Sequence, residues 1–147
     1  MSAACAPGAL DLTRVPAASL GGALVSACRQ AAERPGSVAV IAADPQVPEL
    51  GRVLGRAGLA YGTPGTDAAL TLVPVTLAKG LEYDHVIVVE PARIAGAEAR
   101  GLQRLYVALT RAVSRLTVLH SEPLPAPLPS TSQLPAPRAS SANALPR

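Results

Sequence analysis

Phenylalanine and tryptophan are absent from this 147-residue chain, and three tyrosines bring the aromatic share to only 2%. Sequence-independent binding of single-stranded nucleic acid commonly stacks bases on aromatic side chains, and three tyrosines make a thin platform for it. Lysine is almost missing as well: Lys79 stands alone beside twelve arginines, a bias in keeping with a GC-rich coding sequence. No basic cluster stands out, so the net charge of +3 is compatible with a phosphate-bearing ligand but does not by itself point to nucleic acid. The two cysteines, Cys5 and Cys28, form no CxxC pair and have no histidine nearby, so neither a zinc site nor a disulfide follows. No apolar run reaches the roughly 20 residues of a membrane span, and the first residues lack a basic stretch leading into an apolar one. No membrane contact and a cytoplasmic location are the expectation.

What is present is aliphatic. Apolar residues make up 49% of the chain, so its core must be built from Val, Leu, Ile and Ala, a composition suited to buried parallel strands under alanine-rich helices. The hydrophobic pattern alternates between the two periods. ALDLTRV (9–15) alternates like an edge strand; Ser19 can cap a helix running to about Ala32; SVAVIA (37–42) is a short apolar run fit for a central strand. Asp44 and Pro45 make an N-cap and first-turn pair for a helix carrying Leu50, Val53, Leu54 and Ala57, ended by Gly58. ALTLVPV (69–75) and VIVVE (86–90) are further strands, with Pro74 ending or bulging the former because it cannot donate to a ladder. A helical spacing of Leu102, Leu105, Tyr106 and Leu109 spans 98–112, and LTVLH (116–120) closes the ordered part. The expected fold class is therefore α/β, a mainly parallel sheet with helices on both faces and ligands outside the carboxyl ends of its strands. KGLE follows one strand and TRA precedes the next, which suggests that both touch that edge.

From Glu122 the composition changes. The last 26 residues hold seven of the fifteen prolines among serines and alanines, and read as a disordered tail with polyproline II character. The domain is thus expected over 1–121 and the tail over 122–147.

Few residues offer chemistry. On a helical wheel Arg100, Arg104 and Arg111 share one face, which is either a solvated basic face or an anion-facing one; Arg111, beside Thr110 at the helix end, is placed to reach beyond it, and its planar fork suits a phosphate. Lys79 and Glu82 are a loop ion pair or part of a ligand rim, with Gly80 as a turn residue or a point of close backbone approach. On residue types alone the loop ion pair is the simpler reading. His85 and His120 lie at strand boundaries without a catalytic partner. No pattern of metal ligands occurs.

Two stretches together resemble a known family. TLAKGLEYDHVIVV (76–89) resembles motif V of the UvrD/Rep-like superfamily 1 helicases, and LYVALTRAVSRLTVLH (105–120) resembles their motif VI, in the right order and with a strand and helix between them. The likeness covers roughly 37–121 and implies a RecA-like (P-loop NTPase-type) fold, that of the second, C-terminal helicase domain. The form TLAKGLEYDHV looks most like the HelD type, motors that act on RNA polymerase; it lacks the His-Ser-like residues that lie toward the strand in DNA-translocating relatives. Tyr83 stands where the family usually has Phe.

The resemblance implies roles. Arg111 would be the motif VI arginine finger; Glu82 would lie near the ribose, with Gly80 and Lys79 shaping the nucleotide cleft; Tyr106 and Thr110 would position the arginine. No GxxxxGK[ST] and no Walker B acidic pair occur in the chain, so ATP and Mg2+ would be held mainly by a partner, a P-loop-containing N-terminal helicase domain or chain, and this chain alone is not expected to hydrolyse ATP. It would then be a fragment or separately encoded half of an ATP-dependent motor acting on DNA or RNA polymerase. The alternative is an ATPase-inactive module of the same fold that binds RNA polymerase or nucleic acid. A flavodoxin- or regulator-like domain would need a phosphorylatable aspartate at a strand end or a Gly-rich phosphate loop; Asp44 is the one candidate, and it is better explained as a helix cap.

Overall fold

Five strands, every one parallel to its neighbours, form a single sheet in the computed structural model, which describes residues 9–66 and 68–125. The strands are β1 (Ala9–Arg14), β2 (Val38–Ala42), β3 (Leu70–Pro74), β4 (Tyr83–Val89) and β5 (Ala112–His120), in the order β1-β5-β4-β2-β3. Parallel strands need crossovers, and α-helices supply all of them but the one from β3 to β4, which holds only a 3₁₀ turn, Val75–Leu77. Helices α1 (Leu20–Ala32) and α2 (Val47–Arg56) follow β1 and β2, whereas α3 (Pro91–Gly96) and α4 (Gly101–Leu109) both lie between β4 and β5. No helix among the described residues is long and apolar enough to cross a membrane.

The period-2 alternation of side chains sorts the core into two layers. Ile41, Val73, Val86, Val88 and Val118 point to one face and meet Ile94 of α3 and Leu105 and Ala108 of α4. Val40, Leu72, Ile87, Val89 and Leu119 point to the other and meet Leu24 and Cys28 of α1 and Leu50 and Leu54 of α2. A sheet buried on both faces needs continuous apolar strands, and all five residues of β2 are buried. The expected fold class is what forms.

Differences from the sequence reading have identifiable physical causes. Ser19 and Asp44 precede their helices, but neither side chain makes a cap hydrogen bond; short 3₁₀ turns, Ala17–Ser19 and Asp44–Gln46, lead into α1 and α2 instead. Asp44 thus does not cap: its carboxylate accepts from the Thr76 hydroxyl at 2.6 Å and the Thr76 N–H at 3.3 Å, tying the carboxyl end of β2 to that of β3. The helix expected over 98–112 is shorter, so Arg100 is the residue before α4, Arg111 lies beyond its end, and the common arginine face dissolves. Arg100 donates to Gln103 Oε1 at 3.2 Å and Arg104 pairs with Glu98 at 2.9 Å. Strands β4 and β5 begin three and four residues earlier than their apolar runs, because ladder pairing carries Tyr83–His85 and Ala112–Arg115 into the sheet. Glu122, read as the start of the tail, bonds Arg93 at 2.7 Å, and Leu124 packs on the α3/α4 core layer. The remaining tail, from 126, lies outside the described residues.

Candidate functional site

The turn before β4 is made by Lys79 and Gly80, and Gly80 has φ +84, a left-handed backbone that favours glycine. A Cβ there would meet no protein atom within 4 Å, so within the chain it is the turn's conformation that calls for glycine. Lys79, Gly80 and Glu82 are exposed, and no ion pair joins Lys79 to Glu82, so the simpler loop reading of these two residues fails. Glu82 is held between two backbone anchors. The Leu81 N–H donates to the Ala78 carbonyl at 3.1 Å, and the Tyr83 N–H donates to the Arg111 carbonyl at 3.1 Å.

Arg111 completes this arrangement from the other side. Its Nη1 donates to the Leu81 carbonyl at 3.2 Å, its Nε to the Val107 carbonyl at 3.1 Å, and its Nη2 to Thr110 Oγ1 at 3.2 Å. Thr110 Oγ1 in turn donates to the Val107 carbonyl at 2.9 Å. The last carbonyls of a helix lack intrahelical partners, and a cation at that end also meets the favourable end of the helix dipole. One guanidinium therefore closes α4 and clasps the KGLE loop. Thr110 is thus in direct contact with the guanidinium. Tyr106, 70% exposed, has no hydrogen bond to it.

These residues lie at the amino ends of β4 and β5, not at the carboxyl edge where sequence reasoning put them. The error is topological: after β3 the chain passes β2 and returns from the carboxyl edge to the amino edge before β4 begins, so a segment that follows one strand can still stand at the start of the next. Also at the amino rim, the Ser37 N–H and hydroxyl donate to Asp84 Oδ2 at 2.8 and 3.2 Å, stitching β2 to β4. Those bonds, the backbone one foremost, hold the Asp84 carboxyl below its ordinary pKa. Gly36 precedes this stitch with φ +114, and a Cβ there would collide with the Asp84 side chain.

The carboxyl edge carries a second cluster that sequence reasoning passed over. Glu90, 4% exposed, adopts φ 51, rare for a residue with a side chain, and its carboxylate accepts from the Ser121 N–H at 3.0 Å, the Glu122 N–H at 3.3 Å and, closely, the Ser121 hydroxyl. Burial alone would raise its pKa, but these bonds and the nearby Arg93 bring it below the ordinary value. The signal in the sequence was an acid directly after a buried valine run and before a proline. His120 is buried at the same edge, its Nδ1 2.9 Å from the Glu122 carbonyl. Both carboxylate oxygens of Glu90 are met internally, which suits a structural lock. No group of three His, Cys, Asp or Glu among the described residues stands ready to hold a metal ion.

Residues 69–119 match the family model of the UvrD-like helicase C-terminal domain. The match runs from β3 to the penultimate residue of β5 and contains every residue of the Arg111 clasp. The fold is similar to a crystal structure of the C-terminal domain of a possible DNA helicase from Lactobacillus plantarum WCFS1, with a TM-score of 0.60 and 26% identity over 80% of this chain and 76% of that one. It is also similar to the Sulfolobus solfataricus SWI2/SNF2 ATPase core in complex with dsDNA, at TM-score 0.53 and 14% identity, over 80% of this chain and 28% of that one, a likeness of fold alone. No curated protein matches in sequence. The α/β fold matches that of a helicase C-terminal domain.

Proposed function

We propose that this chain works as the motif V and VI half of an ATP-driven helicase-type motor. Arg111 acts as the arginine finger, and Glu82, Gly80 and Lys79 face a nucleotide whose P-loop and magnesium ligands belong to an N-terminal helicase domain or chain. One observation carries the reading: two motifs 30 positions apart, Leu81 and Arg111, are hydrogen-bonded at 3.2 Å on one rim of the sheet. ATP and Mg2+, bound by the partner, would supply the phosphoryl group to be transferred. On this side, Glu82 accepts bonds from ribose hydroxyls, and Arg111 stabilises charge developing on the γ-phosphoryl oxygens. The exposure of Lys79 and Glu82 leaves both free for that role.

The short TLAKGLEYDH form of motif V favours a HelD-type motor acting on RNA polymerase over one that tracks along DNA. A second reading, an ATPase-inactive module binding RNA polymerase or nucleic acid, draws on the missing P-loop and on the internal hydrogen bonding of Arg111. Mixing the chain with the product of a neighbouring reading frame that bears a Walker motif tests both. ATPase activity should appear in the mixture and drop by about 10³ or more with Arg111→Ala. An inert mixture, with the chain alone still binding polymerase, would favour the inactive module.

A further inference from the structure

The chain leaves β5 at the carboxyl edge and folds onto α3. There Arg93 Nε donates to Glu122 Oε2 at 2.7 Å, and Leu124 packs on the core layer that Ile94 of α3 shares with Leu105 and Ala108 of α4. Pro125 is the last described residue, so residues 126–147 set out from this face of the sheet. Their first part, 126–137, carries no charged side chain and repeats the pair Leu124-Pro125 as Leu128-Pro129 and Leu134-Pro135.

An apolar strip runs along the same face. On α4, Leu102 is 46% exposed and Tyr106 70%, and with the half-buried Leu109 they fall within roughly 60° of one another on a helical wheel. Leu105 and Ala108 fix which side of α4 meets the sheet. A crossover between parallel strands is right-handed in nearly all cases, and that hand turns the Leu102 flank toward β5 and β1. On those strands Leu116 pairs in register with Leu10, and both, like Leu12, are only half-buried. These leucines and Leu124 pack on one core layer, so Leu124 is already seated on the strip. Contiguous apolar surface of this kind marks an interaction site. Its dimensions suit the tail: from Leu102 to Leu109 the helix rises about 10 Å, and four residues of polyproline II span about 12 Å, so 126–129 can cover the whole flank. A polyproline II segment needs no ladder partner and is stiff before it binds, and grooves that take one are lined with aromatic side chains, a part Tyr106 can play.

We propose that the uncharged Leu-Pro stretch of the tail, centred on Leu128-Pro129, docks along this strip between Tyr106 and Leu116. It extends the seat that Leu124 has taken and covers the outer flank of the helix that leads to Arg111. The Arg111 clasp takes no part in the contact, and its test does not involve ATP hydrolysis. A nitroxide on Ser132→Cys in the full chain, in a Cys5→Ser background where the remaining Cys28 is buried, reports where the tail lies. Amide signals of Leu102, Tyr106, Leu109 and Leu12 should broaden, and should stay broadened when the labelled chain is diluted with unlabelled protein. Leu128→Ser, in the tail, and Leu102→Ser, at an exposed position where folding is not at stake, should each lower the docked-to-free ratio about tenfold or more, the scale of one buried leucine side chain. The proposal is overturned if only amides close to residue 132 in sequence broaden, or if both leucine variants leave the broadening unchanged. Broadening that is lost on dilution would seat a second copy on the strip and overturn it as well.

Discussion

Arg111 Nη1 donates to the carbonyl of Leu81 at 3.2 Å, while the Arg111 carbonyl accepts from the N–H of Tyr83 at 3.1 Å, so a single residue brackets Glu82 from both sides. Side chain and main chain thereby fasten the end of one motif to the start of the other. Arg111→Ala strips donors from two main-chain carbonyls, and a loss of about 1–3 kcal/mol in urea unfolding is expected. Arg111→Lys should recover only part of it, because an ammonium cannot reproduce the planar fork. Unchanged stability in both variants would show that the clasp contributes nothing to the fold.

Gly101 opens α4 against α3, and a Cβ at that position would collide with the Ala95 carbonyl. The obstacle is backbone, which cannot rotate away. Gly101→Ala should therefore cost about 1–3 kcal/mol, the scale of overpacking, where a glycine in the middle of an exposed helix would gain from alanine. Gly55→Ala on α2, with nothing within 4 Å of its Cβ, provides the contrast and should be neutral or stabilising.

Asp84 and Glu90 both have folded pKa values below the ordinary carboxylate range, set by bonds from Ser37 and from Ser121 and Glu122. A lowered folded pKa gives stability that is fully present above the unfolded value, roughly 4, and is lost as pH falls through it toward the folded value. Urea midpoints measured from pH 7 down to about 2.5 should fall steeply in that window. Glu90→Gln with Asp84→Asn should be less stable at neutral pH and show a flatter acid limb; an acid limb of unchanged slope would mean that other groups carry it.

Cys28 is 2% exposed in the α1/α2 core layer, and burial pushes its thiol up to about 12. Only the thiolate reacts readily, so at pH 8 the folded protein should protect it. In a Cys5→Ser background, labelling by a disulfide reagent should track unfolding in denaturant; rapid labelling of the native protein would contradict the packing described.

Much of the fold was legible because its strands are nearly uninterrupted aliphatic runs, as Val38–Ala42 and Val86–Val89 show. What escaped was set by distant partners. Asp44 looks like a helix cap within its own segment, yet Thr76, 32 positions away, takes its carboxylate. The α3 helix was missed because PARIAG is too short to show a period, and its role becomes visible only with Ile94 in the core. The Arg111 site could be read from the resemblance of KGLE and LTRA, but its place at the amino rim could not, since that depends on which strand each segment starts. Glu90 needed the backbone itself, whose left-handed turn no neighbouring residue type announces.

The first described strand and the last are neighbours: Ala9 pairs with Arg115, 106 positions further along, and the Val15 N–H reaches the His120 carbonyl at 2.9 Å. Among the described residues β1 pairs only with β5, so on a growing chain that pairing must wait until β5 has been synthesised. Contacts of such long separation slow the search for the native state. A chain halted before residue 112 would lack β5, and with it the joint through which β1 meets the rest of the sheet.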